Sequence, residues 1–152
     1  MATYCTQADL ERRAHPSNVA RWADDDGDGV LSTAEAANIT ACIERAEAII
    51  NAKLGRRYSV PFSQVPDIIR EIAVDLATFY LAERRGFVST GQGLQAASIA
   101  DAYQEAMRLL DAIAEGRVYI GVGEAAEPIE STTQQVEPTF SRMPVDKSTG
   151  QN

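Results

Sequence analysis

The sequence predicts an all-α protein: four to five helices in a compact, bundle-like head, followed by an extended C-terminal arm. Three observations carry this reading. Three long segments repeat apolar residues at spacings of three and four, the period of a helix with one buried face. Proline and glycine fall between those segments and not inside them. From residue 121 onward Glu, Pro, Ser, Thr and Gln dominate, and large apolar residues are too sparse to build a core. The head is therefore expected to span residues 1–120, and the arm residues 121–152.

The elements follow in order. Thr6-Gln7-Ala8-Asp9 has the form of a capping box, with Thr6 at the N-cap, so a short helix is expected to about Ala14. Pro16 breaks it, and Ser17 is placed to cap a second short helix through Trp22. An acidic loop comes next. Ile39, Cys42, Ile43, Ala46, Ile49, Ile50 and Leu54 then share one face of a long helix, with Gly55 just past its end. Pro61 and Pro66 keep the link that follows extended, and Pro66 suits the first turn of the next helix.

That helix carries Ile68, Ile69, Ile72, Ala73, Leu76, Phe79 and Tyr80. It closes on Arg84-Arg85, two cations that favour the negative end of the helix dipole. After a Gly-rich loop, Ala96, Ile99, Ala100, Tyr103, Ala106, Met107, Leu110, Ile113 and Ala114 form the last stripe, which Gly116 ends. The run Arg117-Val118-Tyr119-Ile120 is a candidate short strand.

The chain has 152 residues, enough for one modest core, and 45% of them are hydrophobic. Its formal net charge of −8 repels phosphate backbone, which argues against DNA binding through a basic patch. Cys5 and Cys42 are far apart in sequence and form no C-x-x-C pair, so buried, reduced thiols are expected. The first residues lack the apolar stretch of a secretory signal. The longest apolar run, around Ile72 to Leu81, is broken by Asp75, so no membrane-spanning helix is expected.

The sharpest chemical signal is the run Asp24 to Glu35, which fits D-x-[DN]-x-[DN]-G-x5-E, the EF-hand calcium loop. In that loop Asp24, Asp26 and Asp28 take positions 1, 3 and 5, where alternate carboxylates turn inward on one hard cation. Gly29 permits the turn at position 6, and Val30 offers its carbonyl at position 7. Ser32 stands at position 9, often a contact through water, and Glu35 at position 12 can bind through both oxygens. The competing reading is an acidic turn in which Asp28 or Ser32 caps the long helix. Sensor EF-hands come in pairs, and this chain has one loop, so a structural staple is the better expectation than a switch. Without metal, its clustered carboxylates, Asp25 included, should repel one another.

No other motif carries chemistry. His15 is the only histidine, so no zinc site can draw on two, and a surface turn is expected there. Glu44/Glu47, Asp101/Glu105 and Asp111/Glu115 have helical spacing and read as solvated faces. No nucleophile–base signature is visible, and the chain is not expected to be an enzyme.

Tyr4-Cys5-Thr6 with Asp9-Leu10, the Asp24–Val30 loop, Gly55-Arg56-Arg57-Tyr58-Ser59-Val60-Pro61-Phe62, Pro66, Asp75-Leu76-Ala77, Arg84-Arg85 and the helix Tyr103 to Gly116 occur in a telling order. Together they resemble the small head–tail connector (adaptor) family of Mu-like phages, over roughly residues 3–120. The doubled Arg56-Arg57 departs from a single basic residue before the tyrosine. The resemblance implies an all-α fold and a virion protein of the phage neck, between capsid and tail, assembled in the host cytoplasm. It implies a self-associated ring, usually twelve-fold, that binds the portal protein on one side and a tail-terminator or stopper protein on the other. DNA would pass through the lumen without sequence-specific binding, and no membrane would be involved. The alternative is a calcium-binding regulatory module built on the single EF-hand-like loop.

Overall fold

The computed structural model describes residues 3–87 and 93–123. Residues 124–152, most of the expected arm, lie outside the described residues, as does the middle of the Gly-rich loop. Five helices are described: α1 Gln7–Ala14, α2 Pro16–Ala23, α3 Thr33–Leu54, α4 Asp67–Arg84 and α5 Leu94–Ala114. No strand occurs among the described residues, so the head is all-α, as its periodicity predicts.

Helix α4 packs against each of the other four. Its sequence explains why. From Ile72 to Ala82 nearly every position is buried, including Val74 and Thr78 on the side opposite the main stripe. A helix that is apolar almost all round has to be enclosed. α3 and α5 flank it with their own stripes: Ile39, Ile43, Ala46, Ile50 and Leu54 from α3, Ala106, Leu110 and Ile113 from α5. α1 and α2 close the remaining side with Leu10, Val19 and Trp22, all fully buried.

Asp75, which interrupts the apolar run, sits where α1 crosses α4 and accepts a hydrogen bond from Arg13 Nε at 2.7 Å. Tyr103 stacks on Phe79 with ring centroids 4.0 Å apart, and Arg45 lies 4.2 Å above the ring of Tyr80. These contacts fasten α5 and α3 to the same stretch of α4.

The link between α3 and α4 is tied to the N-terminal segment. Tyr4 is 1% exposed. Its hydroxyl accepts from the Phe62 N–H at 3.1 Å and donates to the Asn51 side chain, while its own N–H donates to Glu47. The rings of Tyr4 and Tyr58 both pack on Phe62. Val122 and Gly123, at the far end of the head, lie against the same link beside Pro61 and Phe62.

Two local expectations are corrected. His15, not Ser17, is the N-cap of α2: it takes φ 69°, and its Nδ1 accepts from the Ser17 N–H at 3.3 Å. Proline is favoured at the first helical position, where its missing N–H costs nothing, so the helix starts one residue earlier than a serine cap implies. The segment 117–120 forms no strand. Among the described residues it has no partner strand to pair with, and it crosses the α4 N-terminus with Ile120 buried and Tyr119 exposed.

Truncating Leu76, wholly buried at the centre of α4, leaves a cavity on every side. The Leu76→Ala variant is expected to lose about 2–5 kcal/mol of stability. Leu94→Ala, at a side chain 91% exposed, should stay within about 0.5 kcal/mol of the parent. Urea unfolding of the two variants checks both values.

Candidate metal centre

The acidic loop joins the end of α2 to the start of α3, the helix–loop–helix order that an EF-hand needs. Gly27 and Gly29 both take positive φ, 81° and 76°, the conformation that glycine adopts without a Cβ clash. These turns bring Asp24, Asp26 and Asp28 together: one carboxylate oxygen from each lies within 4.8 Å of the others. Asp24 is buried, and its two oxygens accept from the N–H groups of Gly27 (2.6 Å) and Gly29 (3.0 Å). Asp26 and Asp28 are exposed, and each accepts from the N–H two residues on. Half-buried Leu31 anchors the far end of the loop in the core.

Of the other three expected ligands, Ser32 and Glu35 are engaged elsewhere, and Val30 is expected to act through its main-chain carbonyl and not its side chain. Val30 turns its side chain to solvent. Ser32 is the N-cap of α3 and forms a capping box with Glu35. Glu35 is not part of the three-aspartate group; it is 4% exposed and fully engaged by hydrogen bonds. Its Oε1 accepts from the Asp25 N–H at 2.7 Å, and its Oε2 accepts from the Ser32 N–H at 2.8 Å and the Ser32 hydroxyl at 2.7 Å. These donors favour the carboxylate form. The Ser32 hydroxyl, with the Asp25 and Ser32 N–H groups, holds the Glu35 pKa down at about 2.

Sequence reasoning counted Asp25 among the repelling carboxylates and assigned Arg84 to the helix dipole. The structure pairs them. Arg84 Nη2 donates to both oxygens of Asp25, at 2.5 and 2.6 Å, and the Asn38 side chain adds a third bond at 3.0 Å. The same Asn38 amide donates to the Ala23 carbonyl at the end of α2. Both bonds come from one guanidinium nitrogen, so this is a charge-assisted contact shared between two carboxylate oxygens and not a fork-to-fork pair. Arg84 first, then Asn38, lowers the Asp25 pKa. A charged pair some 60 positions apart leaves no periodic trace in a sequence, so only the acidic motif was visible.

As a donor set, three converging carboxylates suit a hard divalent cation that takes oxygen ligands. The remaining acidic pairs have ordinary partners: Glu47 accepts from Tyr4, Asp111 from Lys53, Glu105 from Arg108 and Glu115 from Arg117. His15 is exposed. Cys5 and Cys42 are free and buried, and burial pushes the Cys5 thiol up to about 12, far from reactive. No described helix is long and apolar enough to cross a membrane.

Glu35 gives the loop an acid dependence of known sign. Its folded pKa lies below its ordinary value of 4.5, so its stabilising contribution is complete above that value. The contribution is lost as pH falls toward 2. Glu35→Gln should flatten this part of the stability profile and leave the neutral limb parallel to the parent. Urea midpoints measured from about pH 6 to 2 test it.

The comparisons with known proteins agree with the order of motifs along the chain. The sequence matches the family model described as Bacteriophage Mu, Gp36, over residues 4–137. The match runs past residue 120, where the resemblance seen in the motifs ended, so part of the expected arm belongs to the family pattern. A Mu-like prophage FluMu protein gp36 of Haemophilus influenzae is 27% identical over 95 residues. That alignment spans 62% of this chain and 61% of the relative, so the chain covers less than two thirds of that protein's length. With the family match covering the whole helical head, the chain belongs to the Bacteriophage Mu Gp36 family of phage proteins.

Proposed function

We propose that this protein is a structural subunit of the virion: a head–tail connector that forms a ring beneath the portal, extends the DNA channel and docks the tail. The observation that carries the reading is membership of the Mu Gp36 family over residues 4–137. Two physical features support it. A net charge of −8 suits a channel wall that must let DNA pass without adhering. An asymmetric helical head presents two different faces, as a head-to-tail ring interface requires. The partners on this reading are further copies of the chain, the portal protein and a tail-terminator or stopper protein. The role is one of assembly, with no catalysis.

The test is negative-stain imaging of the purified protein mixed with the portal protein of the same genome. A ring of added density on one end of the portal is the expected result. Absence of binding under all conditions would sink the connector role.

We further propose calcium as a structural staple of the acidic loop, held by Asp24, Asp26 and Asp28. The aspartate convergence favours it. Val30 and Ser32 would complete the set with oxygens, and Glu35 would join only by leaving its N–H partners. The cation would neutralise the three aspartates and fix the angle between α2 and α3. A ligand that binds only the folded state stabilises it by about 2.7 kcal/mol at one hundred times its dissociation constant. Thermal melts in calcium should therefore run several degrees above melts in chelator, and Asp26→Asn with Asp28→Asn should abolish the difference. Equal melting temperatures for the parent protein would leave the loop as an acidic helix cap. A calcium-dependent monomer that ignores the portal would instead favour a regulatory calcium module.

A further inference from the structure

We propose that residues 117–123 form a releasable strap at one pole of the head, fastened by the Arg57 guanidinium against Gly116, and that this strap opens as a unit while the five helices stay folded. The proposal does not depend on the connector reading.

The run Arg117-Val118-Tyr119-Ile120 reads as a strand because its apolar residues alternate, and the structure gives that alternation another use. Ile120 belongs to the core, Val118 and Val122 pack against it, and Tyr119, Gly121 and Gly123 are exposed. The segment lies over the α3–α4 link and the start of α4, beside Val65, Pro66 and Asp67. It is thinly bonded. The N–H groups of Arg117 and Val118 both donate to the Ala112 carbonyl, at 2.8 and 3.3 Å. From Tyr119 to Gly123 no backbone hydrogen bond forms among the described residues. A segment with few hydrogen bonds and one fully buried side chain opens at a lower free energy than packed helices do.

Glycines mark its two bends. Gly116 and Gly121 take φ 77° and 78°, the left-handed region that favours glycine. Their surroundings differ. A β-carbon on Gly121 would meet nothing within 4 Å. A β-carbon on Gly116 would collide with Nη1, Cζ and Nη2 of Arg57, so the guanidinium lies across the glycine itself. Here α5 ends. The Gly116 N–H donates to the Ile113 carbonyl and the Arg117 N–H to that of Ala112, the paired bonds of a Schellman motif. A cation at this point also meets the negative end of the α5 dipole. Arg57 comes from just past α3, where its own N–H donates to the Leu54 carbonyl at 2.9 Å. One side chain thus ties the ends of α3 and α5 together where the strap begins.

This geometry separates the doubled arginines. Arg57 works inward as the fastening, and Arg56 is exposed and takes no part. It also makes glycine necessary twice at position 116, for its φ and for the room it leaves. Once the Arg57 contact is lost, Gly116 and Gly121 can act as hinges, and the strap is held chiefly by Ile120 and its two valine neighbours. A pull on the chain beyond Gly123 reaches this strap before it reaches any helix.

The experiment is limited chymotrypsin digestion of the full chain, at a temperature where its helical circular dichroism is unchanged. Cleavage after Tyr119, 73% exposed at the middle of the strap, is read by mass spectrometry. Arg57→Ala and Gly116→Ala should each speed that cleavage about three- to thirty-fold, the range of a cation lost from a helix C-terminus. The double variant should cleave no faster than Gly116→Ala alone, because both changes undo one contact. Arg56→Ala should keep the parent rate. Gly121→Ala meets the same backbone strain with no side chain to displace and should change the rate less than Gly116→Ala does. Rate increases that multiply in the double variant would overturn the latch. So would cleavage after Tyr119 that rises only together with cleavage at buried Tyr58 and Tyr80, since the whole head would then be unfolding. Arg57→Gln, a milder change, reads the same way if Arg57→Ala does not fold.

Discussion

Helix α4 has almost no side that can face water, and the placement of the other four helices follows from covering it. Each long helix brings a single stripe to the task, and the two short N-terminal helices complete the enclosure with Leu10, Val19 and Trp22. Hydrophobic burial of this kind has no direction of its own. Directed contacts fix which helix lies where: Arg13 on Asp75 for α1, Arg84 on Asp25 for the loop before α3, the Phe79–Tyr103 stack for α5. The pattern separates the two tasks, apolar residues supplying the energy and a few polar or aromatic pairs supplying the arrangement.

The acidic loop shows how such a pair changes the meaning of a motif. Four carboxylates close in sequence suggest mutual repulsion that only a cation relieves. In the folded chain most of the negative charge already faces N–H groups, and Asp25 faces Arg84 and Asn38. The loop is thus tethered to the end of α4 as well as to α2 and α3, and its shape is set by the same helix that organises the core. A cation site here rests on a frame that the protein itself supplies.

The helices were legible because their information is local. Stripes of period 3.6, prolines at the breaks before α2 and α4 and a glycine after α5 report directly on the backbone. What the sequence left hidden depends on distant partners. The strand suggested by Arg117 to Ile120 failed because a strand needs a neighbour, and none is near among the described residues. The cap of α2 shifted to His15 because Pro16 decides the start more strongly than Ser17 does. The EF-hand motif located three converging aspartates but could not reveal that Glu35 serves the capping box and not that group. Tyr4 stood in the sequence only as part of a familiar opening; its bonds to Phe62, Asn51 and Glu47 give that opening a physical reason.

Tyr4 and the last described residues, Val122 and Gly123, lie beside the same link at Phe62. The two ends of the head thus emerge from one pole of the molecule. A short peptide joining them would span little distance, so the described head, residues 3–123, is a natural subject for circular permutation, which tolerates neighbouring ends. It also means that a label attached at either edge of the described head, near residue 3 or residue 123, sits at that one pole.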